Sequence, residues 1–141
     1  MALLTFTLPD PTGYGRVLRD SRGQVGRIVE QKDARKSELK VRECNSGIMA
    51  IPGKLLRRWL GQIKNDNAQG EYYLTDVIAM AVKDKVAIKP CIAPSAEEVM
   101  GVNDKVQLAE AEAIRRRTIA RGDAGRHAVA CLDRHRECGA K

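Results

Sequence analysis

An α/β fold with a mixed sheet is predicted by three features of the sequence. Short apolar, β-branched runs alternate with helical patterns along the chain, the order that builds layered α/β domains. Two of these runs, residues 17–20 and 25–30, flank Ser21-Arg22-Gly23-Gln24, and a four-residue loop with a glycine marks an antiparallel hairpin. Elsewhere helical patterns separate the strands, as crossover connections require, so the sheet should mix both directions.

Taken in order, Leu3-Leu4-Thr5-Phe6-Thr7-Leu8 alternates and stops at Pro9-Asp10-Pro11, a strand ended by prolines. The hairpin follows the turn Thr12-Gly13-Tyr14-Gly15-Arg16. Residues 31–40 are charged and short of apolar side chains, a surface excursion with one helical turn from Asp33 onward. Residues 43–51 read as a buried strand entered through polar residues and ended by Pro52-Gly53. Leu55, Leu56, Trp59, Leu60 and Ile63 share one helical face, with Lys54, Arg57 and Arg58 opposite. Leu74, Val77, Ile78, Ala81 and Val82 mark a second helix. A strand over 86–93 is weakened by Pro90, which places it at an edge or a bend. A shorter strand is expected over 97–102. Asn103 or Asp104 then opens a helix carrying Val106, Leu108, Ala109, Ala113 and Ile114 into Arg115-Arg116-Arg117, with Asn103 a natural cap.

The 141 residues, 43% hydrophobic and 30% charged, describe one globular domain. No run approaches the ~20 apolar residues of a membrane span, the start lacks the features of a signal peptide, and the cytoplasm is the expected compartment. Cys44, Cys91, Cys131 and Cys138 are scattered without a CxxC, which fits reduced thiols rather than a disulfide framework. The net charge of +7 is uneven: residues 115–141 hold eight Lys/Arg against three Asp/Glu, leaving 17 against 15 for the rest. The main body therefore has no basic footprint. Nucleic-acid association would rest on the tail alone, where no aromatic interleaving or recognition motif supports it.

Three patterns invite a chemical reading. Gly13-Tyr14-Gly15 contains a G-x-G but leads into a strand, whereas the dinucleotide fingerprint must open a helix; Gly15 either lets a ligand approach the backbone or makes a plain turn. His127, Cys131, His135 and Cys138 fall at helical spacing, yet on one helix the outer two lie about 16 Å apart, too far to surround one zinc ion. The third is Asn65-Asp66-Asn67-Ala68-Gln69-Gly70-Glu71-Tyr72-Tyr73-Leu74-Thr75-Asp76. Its amides, carboxylates, hydroxyl and two tyrosines suit a polyhydroxylated ligand with apolar faces, such as a sugar. The same residues also serve a turn in which Thr75 or Asp76 caps the next helix. Glu30 and Asn45 stand at a strand end and a strand start, where α/β proteins collect ligand groups.

Five blocks carry a resemblance: residues 10–16 (Asp-Pro-Thr-Gly-Tyr-Gly-Arg), 28–34 (Ile-Val-Glu-Gln-Lys-Asp-Ala), 43–47 (Glu-Cys-Asn-Ser-Gly), the 67–76 stretch, and 101–104 (Gly-Val-Asn-Asp). In this order they resemble the bacterial bifunctional N-acetylglucosamine-1-phosphate uridyltransferase/glucosamine-1-phosphate acetyltransferases, specifically the second half of the pyrophosphorylase domain. The resemblance covers residues 1–117 as the C-terminal half of a sugar nucleotidyltransferase domain. Residues 118–141 are a basic tail without a counterpart, for which a truncation or frame shift is the expected origin. Cys44 stands where the family usually has an aliphatic residue, a tolerable exchange for a small buried hydrophobe.

The resemblance implies a partial Rossmann-like nucleotide-diphospho-sugar transferase fold. The activity it implies joins UTP and N-acetylglucosamine 1-phosphate into UDP-N-acetylglucosamine and pyrophosphate, for peptidoglycan and lipopolysaccharide precursors, with Mg²⁺ as cofactor. By the same resemblance Gly15, Glu30 and Asn45 contact the sugar; Tyr73 and Thr75, with Glu71 behind them, line its pocket; and Asn103 ligates Mg²⁺ and touches the nucleotide sugar. The family's catalytic glycine-rich loop, uracil-reading residues and metal-binding Asp match nothing in this chain, nor does its trimerising left-handed β-helix. The chain is therefore expected to bind the sugar nucleotide and to have little or no activity alone.

Overall fold

The computed structural model describes residues 1–99, 101–102 and 105–120. They fall into two compact units, residues 1–92 and 93 onward. The first holds a five-stranded mixed sheet in the order β3-β2-β4-β1-β5, made of β1 (Ala2–Thr7), β2 (Arg16–Arg19), β3 (Val25–Val29), β4 (Glu43–Ala50) and β5 (Lys89–Ile92). β1 lies between an antiparallel β4 and a parallel β5, so both directions predicted from the connections occur in one sheet. β5 sits at the edge, where Pro90 can be tolerated because an edge strand has one side free of ladder bonds.

The hairpin forms where glycine allows it. Gly23 has φ +76°, a backbone region that L side chains rarely adopt, and the loop closes with Asp20 N–H donating to Gln24 O at 2.9 Å. Asp20 Oδ1 also accepts from the amides of Arg22 and Gln24, each at 2.9 Å.

Helices α1 (Gly53–Leu60) and α2 (Asp76–Lys83) follow the two apolar periodicities. Ile78 packs with Leu3, Val17, Val25 and Ile28 of the sheet. A second cluster joins Trp59 of α1 to Val77 and Ala81 of α2, and the indole Nε1 donates to Asp84 Oδ2 at 2.8 Å. Residues 31–40 form turns and one short 3₁₀ helix, Glu38–Lys40, as the charged composition suggested.

Two expectations are corrected. β4 is not a buried strand: Cys44 is fully buried, whereas Gly47, Ile48 and Ala50 are exposed. The register between β1 and β4 shifts between Leu3 and Thr5, and Gly47 has φ +78°, so the apolar run does not follow one inward face. In the second unit the described residues of 97–102 form no strand. Ser95 Oγ accepts from Glu97 N–H at 3.1 Å and caps a 3₁₀ helix, Ala96–Glu98, a local side-chain bond that competes with extended structure. The unit continues with α3 (Lys105–Ala120), where the third helix was expected. Val106, Leu108 and Ile119 on it are exposed.

Among the described residues no helix is long and apolar enough to cross a membrane. Cys44 is a free thiol; Cys131 and Cys138, with His127, His135 and the rest of the basic tail from residue 121, lie outside the described residues.

Candidate functional site

The site begins with a register. Arg16 pairs with Val29 across the hairpin, which sets Gly15 beside Glu30 just beyond the end of β3. A Cβ on Gly15 would lie 3.1 Å from Glu30 Oε2, 3.2 Å from Oε1 and 3.2 Å from Ile28 Cγ2. Only a residue without a side chain leaves the Glu30 carboxylate in place. Asn45 N–H donates to Gly15 O at 2.9 Å, so β4 braces the same turn from its other side. The Asn45 side chain turns back along its own strand, Oδ1 accepting from Gly47 N–H at 3.1 Å.

Thr75 supplies the next contact. Its Oγ1 donates to Glu30 Oε1 at 3.0 Å. It occupies the N-cap position of α2 but makes no side-chain cap bond, so the hydroxyl serves the carboxylate and not the helix.

The 65–75 loop is built on Asn67. Its Oδ1 accepts from the amides of Gln69 and Glu71, each at 3.1 Å, and its Nδ2 donates to Glu71 O at 2.5 Å. Gly70, at φ +66°, makes the bend. Gln69 Nε2 then donates to the Tyr73 hydroxyl at 2.8 Å.

Between this loop and the end of β3 lies an open cleft of about 240 Å³, lined by Glu30, Tyr73 and Thr75 together with Asp33, Asn67 and Asp76, and by the cations Arg27 and Lys64. Three of the residues expected from the sequence thus meet in one cleft. Gly15 and Asn45 stand behind Glu30 and fix its position. Glu71 does not line the cleft; its main chain is tied to Asn67, and its charge acts on the Tyr73 phenol. Asn103 lies outside the described residues.

Electrostatics mark the cleft as crowded with carboxylates. The Tyr73 phenol feels opposing influences: the Gln69 hydrogen bond, the largest, favours ionisation, but desolvation and the Asp33 and Glu71 carboxylates outweigh it and push the phenol above its ordinary value. Asp76 is likewise pushed up, by burial first and then by the Asp33 charge. Among the described residues no group of three His, Cys, Asp or Glu is placed to hold a metal ion. What remains is a carboxylate acceptor, hydroxyl and amide groups and an aromatic ring around an open cleft, which suits a polyhydroxylated ligand.

Sequence reasoning passed over Asp33, Asp76 and Arg16. Asp33 was visible in the turn after Glu30, and Asp76 was read only as a helix start. Arg16 is only 1% exposed. One of its terminal nitrogens donates to Tyr14 O and the other to Gln31 Oε1, the latter at 2.6 Å. It therefore straps the Gly13-Tyr14-Gly15 turn to the Glu30-Gln31 segment. A glycine-rich turn followed by Arg offered no sign that the charge would be buried, since arginines are rarely so.

No protein-family model matches the chain. Curated relatives do. Bifunctional protein GlmU of Azoarcus sp. (strain BH72) is 55% identical over 120 residues, 85% of this chain and 26% of that protein. The GlmU of Stutzerimonas stutzeri is 57% identical over 112 residues, 79% of this chain and 25% of that protein. The GlmU of Alkalilimnicola ehrlichii is 52% identical over 133 residues, 94% of this chain and 28% of that protein, a match that takes in part of residues 118–141. The chain spans about a quarter of the length of these relatives, and over that span it is homologous to the bifunctional GlmU proteins.

Proposed function

We propose that this chain forms the sugar-binding wall of an N-acetylglucosamine-1-phosphate uridyltransferase, the enzyme that makes UDP-N-acetylglucosamine for cell-envelope precursors. The observation that carries the reading is the Glu30 carboxylate, seated so close to Gly15 that a Cβ there would crowd it, and bonded by Thr75 at the edge of the cleft. The 52–57% identity to the GlmU proteins supports it.

In this reading Glu30 accepts hydrogen bonds from sugar hydroxyls, and Asn45, by the resemblance a further sugar contact, turns its amide from Gly47 toward the bound ligand to donate and accept. Tyr73 covers an apolar face of the ring, as aromatic side chains do with an amphipathic ligand. The reaction itself is in-line attack of the sugar phosphate on the α-phosphorus of UTP, in which positioning and charge neutralisation do most of the work. This chain's share is the positioning of the sugar, and hence of the attacking phosphate. Mg²⁺ would neutralise phosphate charge; by the resemblance Asn103 would help to hold it, and among the described residues no group of three His, Cys, Asp or Glu is placed to do so. By the resemblance, the groups that handle the UTP phosphates match nothing in this chain, which supports the reading that it binds sugar nucleotide and turns it over little or not at all by itself.

Calorimetry of the 141-residue chain with UDP-N-acetylglucosamine tests the proposal. Weak binding that disappears in Asn45→Ala is expected, and no heat at millimolar ligand would refute the pocket. Pyrophosphate release from UTP and N-acetylglucosamine 1-phosphate tests the rest, since sustained turnover would show that the chain needs no complementary half.

A further inference from the structure

The sugar-facing residues Tyr73 and Thr75 end a loop that has no strand of its own over 61–75 and is largely exposed. Their distance from Glu30 must therefore be set by side-chain ties. The turn after β3 supplies them. It closes with Asp33 N–H donating to Glu30 O at 3.1 Å, which makes residues 30–33 one compact unit. From that unit Asp33 Oδ1 accepts from Ala68 N–H at 2.8 Å, across 35 residues of sequence. Lys32 Nζ donates to Gln69 Oε1 at 2.6 Å, and Gln69 in turn holds the Tyr73 hydroxyl. The Asp33 charge also acts on that phenol, helping to hold it above its ordinary value.

We infer that Asp33 is a positioning residue, whose carboxylate fastens Ala68, and with it the loop that carries Tyr73, to the turn that carries Glu30 and so fixes the spacing between the two walls of the cleft. The inference rests on the sugar-pocket reading for its functional consequence but not for the anchoring itself. A carboxylate suits the task because its oxygens readily accept from a backbone amide. Hydrogen bonds to a charged acceptor are also the stronger kind. Asp33 itself is exposed, so replacing it leaves the apolar core untouched.

Three readouts on the full chain test this in Asp33→Ala and Asp33→Asn. They are hydrogen exchange of the Ala68 amide, titration of the Tyr73 ring by NMR of labelled tyrosine, and calorimetry with UDP-N-acetylglucosamine. Asp33→Ala should speed Ala68 exchange by roughly tenfold, lower the Tyr73 titration midpoint, weaken binding by a similar factor and leave the circular dichroism unchanged. Asp33→Asn keeps an acceptor oxygen and loses the charge; it should restore slow exchange and most of the affinity while the Tyr73 midpoint stays low. Unchanged exchange and an unchanged midpoint in Asp33→Ala would overturn the anchoring. Faster exchange with undiminished binding would overturn the positioning role. If the unmodified chain binds no UDP-N-acetylglucosamine while exchange and titration respond as stated, the pocket reading fails and the anchoring stands.

Discussion

Thr75 Oγ1 donates to Glu30 Oε1 at 3.0 Å, joining residues 45 positions apart. The bond ties the start of α2 to the end of β3, and it presents the carboxylate with one oxygen already oriented. Thr75→Val removes the donor and keeps the shape. A bond to a charged group is worth about 1.5–3 kcal/mol when buried, and this one is only partly so. Binding of UDP-N-acetylglucosamine should therefore fall by roughly tenfold, with a melting temperature lower by several degrees, by calorimetry and thermal denaturation in parallel. An unchanged dissociation constant would mean that Glu30 needs no orienting partner.

Gly15→Ala tests the same carboxylate from behind. The added methyl would meet both Glu30 oxygens and Ile28 Cγ2 at 3.1–3.2 Å, closer than ordinary contact. Either Glu30 swings away or the turn shifts. Overpacking of this kind costs about 1–3 kcal/mol, and the loss of sugar-nucleotide binding should exceed the loss measured for Thr75→Val. A variant that binds normally would show that the carboxylate can move without consequence.

The helices and the hairpin were legible because their signals are local: the 3.6-residue periodicity of 55–63 and 74–82, and Gly23 in a short loop. The fate of residues 97–102 was not, because one hydroxyl, Ser95 Oγ, captured the Glu97 amide and decided against an extended chain. β4 misled for a different reason. Its apolar composition was right, but burial depends on which face finds a partner, and Gly47 changes the strand's course. At the site, the identities of Glu30 and Thr75 were evident while their meeting was not, since a contact over 45 residues is a property of the packed sheet and helix. Thr75 looked like a helix cap because that is what threonine before a helix commonly is. The buried Arg16 runs against the ordinary preference of its residue type, and only the carbonyl of Tyr14 and the amide oxygen of Gln31 explain it.

Glu43 gives a pH dependence with a defined sign. Its carboxylate accepts from Thr5 Oγ1 at 2.8 Å and from two Arg19 nitrogens at 2.7 Å. Burial, the largest single influence, pulls the carboxyl up, but the Arg19 and Thr5 bonds with the Arg19 charge hold it below its ordinary 4.5. A carboxyl lowered on folding stabilises fully above its unfolded value and loses that contribution as pH falls through the lower, folded one. Glu43→Gln should cost about 1 kcal/mol at pH 7. Below pH 4.5 the gap between the two proteins should narrow steadily. Urea denaturation across that range measures it, and a gap independent of pH would assign the cost to packing rather than to charge.

Trp59 anchors the two ends of the loop over 61–75. It is 1% exposed and packs with Val77 and Ala81 of α2, so α1, which leads into the loop, is fixed to α2, which leads out of it. Its indole N–H shares Asp84 Oδ2 with Arg58, and the Arg58 guanidinium lies 5.9 Å from the ring centroid. Trp59→Phe keeps an aromatic ring but removes volume and the donor, leaving Asp84 to Arg58 alone. The expected cost is about 1–3 kcal/mol, against about 3–5 kcal/mol for Trp59→Ala. Urea denaturation followed by circular dichroism measures both, because the chain's single tryptophan is lost as a fluorophore in each. If Trp59→Phe and Trp59→Ala cost the same, the hydrogen bond to Asp84 rather than the packed ring is what joins the two helices.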